Sequence, residues 1–262
     1  MAETGRLTAP AAPLISSVTL VRVAIIAAVL VIWEVVAASG LLFRDVVPSL
    51  TVIARALVTL LADPAYYWSL GVTAGEIGVA MLIGGLSGLG VGILLGANPL
   101  LSRAYEAYLY YLGPTPKIIF FPVMIMWFGV GPGSKIAMGV ISCFFPVALS
   151  AAAGMRGIDK VLIRVGRSFR LSAAQMVTKI YLPAMRLPII NGVRLGLGVA
   201  IIGTLLAETK LSNKGIGFLI INAYSTFNMP RMYALLIVLF VLSIGVNALI
   251  GRLGGAGTTR TR

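Results

Sequence analysis

Six stretches of about 20 apolar residues recur along this chain, and that length restricts its environment, because it is what a helix needs to cross the hydrocarbon of a bilayer. They are residues 18-38, 70-97, 101-128, 134-153, 187-207 and 232-251. Composition agrees: 59% of the residues are hydrophobic, 11% are charged and mean hydropathy is +1.00, whereas a soluble domain carries about 25% charge. The expected fold class is therefore all-α integral membrane, with six transmembrane helices and the lipid bilayer as its first partner.

The same composition removes chemistry. The absence of histidine excludes His-containing triads, HExxH zinc sites and imidazole acid–base steps, and the single Cys143 excludes an intrachain disulfide and clustered thiolate metal sites. No catalytic residue and no metal site is expected. The net charge of +13 would point to nucleic acid in a soluble protein. Here it asks which side the charges take, and nucleic acid is not an expected partner.

With six spans both termini share one face, together with the segments near 98-103 and 154-186. That face holds Arg6, Arg22, Arg103, Arg156, Lys160, Arg164, Arg167, Arg170, Lys179, Arg186, Arg252, Arg260 and Arg262. The other holds Arg44, Arg55, Lys135, Lys210, Lys214 and Arg231. The richer face is cytoplasmic by the positive-inside rule. This predicts a cytoplasmic segment 1-17, a transmembrane domain 18-251 with a cytoplasmic loop 154-186, and a cytoplasmic tail 252-262. The first span has the basic flank and small residues of a cleavable signal peptide, but its length, Trp33 and Glu34 favour a retained anchor. Residues 44-69 fit either an amphipathic helix at the outer interface, anchored by Tyr66-Tyr67-Trp68, or an ordered loop on the bundle.

Gly84, Gly88, Gly92 and Gly96 form a ridge in the second span, Gly71 and Gly75 begin a similar series, and Gly192, Gly196 and Ala200 repeat it in the fifth. Such ridges let another helix approach closely, in the same chain or in a second copy. Pro114, Pro116 and Pro122 around Lys117 predict a broken third span, tolerated at membrane depth only where protein or a wet cavity covers it. The alternative is a loop that emerges early. Gly133-Ser134-Lys135-Ile136 lacks the Gly-Lys-Ser/Thr of a phosphate loop, so ATP has to be handled by another chain.

The loop 154-186 reads Arg164-Val-Gly-Arg-Ser-Phe-Arg-Leu-Ser-Ala-Ala-Gln-Met-Val-Thr-Lys-Ile-Tyr-Leu-Pro183. Ser168 or Ser172 suits the cap of a short helix through Ala173, Ala174, Gln175 and Met176, limited by Pro183. Phe169, Leu171, Met176 and Ile180 supply apolar contacts. Such a helix docks on a partner protein, or else the segment is a plain solvated basic loop.

This segment resembles the cytoplasmic loop of binding-protein-dependent ABC transporter permeases, whose signature runs Glu-Ala-Ala, three residues, Gly, nine residues, Ile, one residue, Leu-Pro. Ile180, Leu182 and Pro183 match its end, and Arg167-Ser168-Phe169 is common in the sulfonate, taurine and nitrate branch. Arg164 and Arg170 stand where the signature has Glu and Gly. The Gly normally forms the bend between two short helices, so the bend is expected to differ or to be held by another residue. The resemblance extends from Trp33 to Gly251, through Thr115-Pro116-Lys117 to Pro122, Trp127-Phe128-Gly129, Gly133-Ser134-Lys135, Asn191 through Glu208, and Lys214-Gly215-Ile216-Gly217.

The resemblance implies the type I importer fold in a bacterial inner membrane, and a permease homodimer with two ABC ATPase subunits docked on the loops. It also implies a periplasmic or extracellular solute-binding protein. The chain itself takes no cofactor; ATP and Mg belong to the ATPase subunits. It implies an ATPase-coupling loop of Arg164, Gly166, Arg167, Ser168, Phe169, Arg170, Leu171, Ser172, Ala173, Gln175, Ile180, Leu182 and Pro183. The solute expected is a small anion such as a sulfonate, taurine or nitrate.

A stand-alone secondary carrier or channel is the alternative, and it calls for an inverted repeat with breaks in both halves, whereas the breaks here lie mainly in one. A membrane-embedded enzyme would need clustered polar groups, and the eight acids are scattered. Ionisable and polar residues within spans are candidates for a translocation path: Glu76, Tyr108, Tyr111, Lys117, Ser142, Cys143, Glu208 and Asn222, with Glu106 and Arg194 also within spans.

Overall fold

The computed structural model describes residues 17–40 and 46–255, which are helical apart from turns. Arg6, Arg44, Arg260 and Arg262, and most of the two terminal segments, lie outside the described residues. Among the described residues, five helices are long and apolar enough to cross a membrane: α1 (Ser17–Ser39), α3 (Pro64–Ala97), α6 (Pro132–Arg156), α10 (Arg186–Lys210) and α12 (Met229–Gly255). The third expected span is broken into α4 (Pro99–Leu112) and, after a 3-10 turn Lys117–Phe120, α5 (Phe121–Phe128), with a bend of 92°. Fourteen residues rise only about 21 Å, so α4 alone cannot cross about 30 Å of hydrocarbon. Counted as one, the pair is the sixth span.

The cause of the break is local. Pro114 and Pro116 remove two backbone donors, and Lys117 turns its ammonium back onto the carbonyls of Gly113 and Thr115 while lying 5.2 Å from the centre of the Phe145 ring. Lys117 therefore seals the break. At the other end of α4, Glu106 accepts from Ser102 Oγ at 2.6 Å and pairs with Arg156 at 2.5 Å, tying α4 to the end of α6.

Helix α6 lies between α3 and α10, and glycine makes both contacts possible. A methyl group on Gly88 would lie 2.7 Å from the Phe144 carbonyl oxygen, and one on Gly96 2.7 Å from that of Ala152. From the other side, methyls on Gly192 and Gly196 would meet Ser150 Cβ at 2.7 Å and Val147 Cγ2 at 2.9 Å. Both ridges are thus occupied within one chain, which removes the glycine argument for a second copy. Gly71 and Gly75 face open space and continue no ridge.

Helix α2 (Leu50–Leu61) buries or half-buries Ile53, Ala56, Leu57 and Leu60 and exposes Thr51, Arg55 and Thr59, an amphipathic stripe packed on α12. It is both an amphipathic helix and part of the bundle. Tyr66 turns into the core while Tyr67 and Trp68 stay exposed. Glu34 accepts the Leu50 N–H at 2.9 Å, and Trp33 donates to the Pro48 carbonyl at 3.1 Å and stands edge-on to Tyr233. The two residues that distinguish the first run from a signal core are thus those joining α1 to the bundle.

Gly88→Val should therefore force α3 off the Phe144 carbonyl, with an overpacking cost of about 1–3 kcal/mol, whereas Gly75→Ala should be tolerated. Melting temperatures of the purified variants check this; equal values for the two would contradict the seam.

Candidate functional site

The basic loop folds as a helical hairpin. Asp159 caps α7 (Lys160–Ser168) by accepting the Val161 N–H at 2.8 Å. Its end is closed by two bonds, Leu171 N–H to Gly166 O at 3.1 Å and Arg170 N–H to Arg167 O at 2.9 Å, the pairing that terminates a helix in a left-handed residue. That residue is Arg170, at φ +50°. The bend thus forms at the position where the family has Gly, and an arginine adopts the left-handed conformation itself.

Ser172, not Ser168, caps the next helix, α8 (Ala173–Met176): Gln175 N–H donates to Ser172 Oγ at 3.3 Å and Ser172 N–H to Gln175 Oε1 at 2.9 Å. Ser168 Oγ bonds back to Arg164 O within α7. Pro183 does not limit the helix. A π turn, Val177–Tyr181, widens the backbone just before α9 (Leu182–Ala184), where Pro183 sits in the first turn and its missing donor costs little, and the chain runs on into α10.

Gly166 packs on Met176 and Ile180, which closes the hairpin and turns those two side chains inward. Of the four apolar residues expected to make outward contacts, Leu171 is half-buried and only Phe169 is fully presented, at 77% exposure. Val161, Leu162 and Val165, also exposed, extend its apolar stripe along α7, and sequence reasoning missed them. Arg164, Arg167 and Arg170 surround the tip, with Ser168, Ser172, Ala173, Gln175 and Pro183 exposed and Leu182 half-buried.

The candidate path residues do not converge on one cavity. Tyr108 and Tyr111 project outward from α4, Asn222 is exposed on α11 (Ile216–Ser225), and Lys117 is engaged at the break. Ser142 and Cys143, expected on the path wall, instead lie in the α3–α6–α10 seam. Ser142 donates to Met138 O at 2.7 Å and abuts Gly203, while Cys143 Sγ fills the space over Gly84.

Glu76 and Glu208 are brought together, and both are buried. Glu208 accepts from Thr73 Oγ1 at 2.6 Å and from the Gly217 N–H at 2.6 Å, while Thr73 Oγ1 accepts the Ile216 N–H at 2.8 Å. Glu208 thus anchors the start of α11 to α3. Gly215, at φ +99°, is required there because a side chain would strike the Glu208 carboxylate. The Glu76 carboxyl adjoins that of Glu208, with Oε2 unpartnered among the described residues, as is Thr204 Oγ1. Lys135, counted on the outer face by the charge tally, is only 3% exposed; its ammonium holds the carbonyls of Val130 and Gly131 and is the nearby counter-charge to both acids. Thr73 was missed in the sequence because nothing local marks it, and Lys135 was read only as an outer-face charge; Glu76, Glu208 and Gly215-Ile216-Gly217 were the visible signals.

Glu208→Ala should leave the Thr73 hydroxyl and Gly217 N–H unpaired, at about 1–3 kcal/mol for each buried group, and lower the melting temperature of the purified protein more than Glu208→Gln, which keeps an acceptor. In the hairpin, Arg170→Gly should relieve about 1 kcal/mol of left-handed strain and slow chymotryptic cleavage at Phe169, while Arg170→Val should speed it.

Residues 88–255 match the family model described as "Binding-protein-dependent transport system inner membrane component". The chain is 30% identical to the taurine transport system permease protein of Escherichia coli (strain K12), over 92% of this chain and 90% of that one. It is 29% identical to a putative aliphatic sulfonates transport permease protein of Bacillus subtilis (strain 168), over 82% and 78%, and 24% identical to the nitrate import permease protein of Leptolyngbya laminosa, over 72% and 68%. Its fold is that of a chain in the inward-facing MetNI methionine ABC transporter, with a TM-score of 0.60 at 20% identity over 79% of this chain and 96% of that one. The chain therefore belongs to the binding-protein-dependent transport system inner membrane components, as a non-catalytic, multi-pass permease subunit of an ABC importer whose ATPase resides on separate subunits.

Proposed function

We propose that this permease forms the translocation path for a small anion or zwitterion of the sulfonate, taurine or nitrate kind, working as a homodimer with two ATPase subunits and an external solute-binding protein. Its loop hairpin and both termini face the cytoplasm. The observation that carries this reading is the hairpin: Phe169 and the apolar stripe of α7 stand free of the chain's own core, ringed by Arg164, Arg167 and Arg170. Exposed apolar surface of that kind marks a protein interface. The charge asymmetry of the loops supports the orientation. Names of relatives supply the solute class: taurine, aliphatic sulfonates and nitrate. ATP and Mg are bound by the ATPase subunits, and the permease contributes the coupling residues 164–183.

The mechanism follows from rigidity. The hairpin is continuous through the π turn with α10, and α10 is seamed to α6 and α3, so a displacement of the hairpin tip by closing ATPases moves the central helices as one body. The 92° break between α4 and α5 supplies a second element able to move against that body.

Phe169→Ala should remove a buried contact worth about 3 kcal/mol at the ATPase interface. Uptake of taurine into vesicles holding permease, ATPase and binding protein should then fall, with the permease inserted at wild-type level. Cysteine introduced by Ser172→Cys should crosslink to the ATPase subunit and resist labelling from outside intact cells. Normal coupled uptake by both Phe169→Ala and an Arg167→Gln, Arg170→Gln double variant would overturn the coupling role, and native mass spectrometry finding one permease copy per complex would overturn the homodimer.

A further inference from the structure

Arg194 is the one intramembrane arginine whose surroundings pose a question that transport leaves unanswered. Its Nε donates to Asn247 Oδ1 at 2.8 Å, which is a neutral partner, and the described ion pairs are Arg156 with Glu106 and Arg231 with Asp63. The guanidinium lies flat on α12 where Gly251 leaves room: a methyl there would sit 3.3 Å from Arg194 Cζ. Asn247 and Gly251 thus fix the fork and leave its outer N–H groups unpaired among the described residues. Gly251 is 22 residues beyond Met229, about 33 Å along α12, which puts the charge at the membrane edge on the side of the basic loop.

Beside this arginine opens a groove of about 540 Å³ between α3, α10 and α12. Its wall includes Gly78, Val193, Leu197, Leu242, Val246 and Ile250, and it is almost wholly apolar. Val193, Val246 and Ile250 in its wall are each one residue from Arg194, Asn247 and Gly251, about 100° around their helices, so the guanidinium stands at the rim of the groove rather than in its wall. A charge at the edge of hydrocarbon needs an opposite charge or water, and an apolar cleft of this size leaves its walls without contacts until an apolar group fills it. One molecule meets both needs.

We propose that this is a binding site for an anionic phospholipid, with the headgroup phosphate on the Arg194 fork and one acyl chain in the α3–α10–α12 groove. The planar guanidinium suits a phosphate, donating to two of its oxygens at once, and Asn247 acts as the positioning residue that orients it. The site depends on the chain spanning a membrane but not on which solute it carries.

The test is native mass spectrometry of the permease copurified with its ATPase, incubated with phosphatidylglycerol or phosphatidylcholine of identical acyl chains. Wild type should retain phosphatidylglycerol with roughly a fivefold preference. Arg194→Gln should abolish the preference while both lipids still bind, Arg194→Lys should keep most of it, and Gly78→Phe, which fills the groove, should reduce retention of both. Melting temperatures near wild type establish that the variants are folded; should Arg194→Gln fail that check, the Arg194→Lys and Gly78→Phe arms decide. An unchanged preference in Arg194→Gln, wild-type retention by Gly78→Phe, or displacement by soluble glycerol phosphate would overturn the proposal. So would quantitative crosslinking of Leu242→Cys to a second copy, since a protein helix would then occupy the groove.

Discussion

Everything in this bundle depends on how closely α3 and α10 approach α6. In lipid there is no hydrophobic force to bring helices together, so association rests on dispersion contacts and hydrogen bonds, both of which require short distances. Glycines on α3 and α10 give up side-chain contact to gain backbone proximity. Alanines at 148, 151 and 152 of α6 are fully buried against them, and Gly139 of α6 returns the device by admitting Ala80 and Thr204. The three helices therefore behave as one slab, against which α12, α2 and the broken α4–α5 pair are arranged.

The slab also decides where polar groups can sit. Glu208 is fully buried among these closely packed helices, and its carboxylate is satisfied by protein: the Thr73 hydroxyl and the Gly217 N–H. That requirement fixes the entry to α11 and makes Gly215 the only residue type that fits at its position. The same logic applies at the break, where the Lys117 ammonium satisfies the carbonyls of Gly113 and Thr115.

The spans were legible because hydropathy is local and additive, and the proline-rich break was legible because proline acts on its own backbone. The glycine ridges could be seen but not their partner, since periodicity states that a helix is flat on one side and says nothing of which neighbour lies there. The polar layer was not legible. Thr73 and Glu76 on α3, Lys135 on α6 and Glu208 on α10 come from three separate stretches of the sequence, and only the joint register of three helices brings them together. The hairpin was half legible. Ser172 and Gln175 form a local cap that sequence displays, whereas Arg170 contradicts its own preference, because the bend is imposed by the bonds to Gly166 and Arg167 and by the packing of Gly166 on Met176 and Ile180.

The π turn at Val177–Tyr181 carries a further implication for how chains of this design diverge. It holds one more residue than an α-helical turn, and its wider backbone absorbs that residue, so the segments on either side keep nearly the register of a continuous α-helix. Deleting one residue there would restore an ordinary α-turn and leave Phe169 aimed nearly as it is, whereas deleting a second would rotate everything before it by about 100° around the axis of α10. Substitutions in this stretch alter chemistry, and the first change of length alters only the turn. The segment is a buffer of phase, and its slack is one residue.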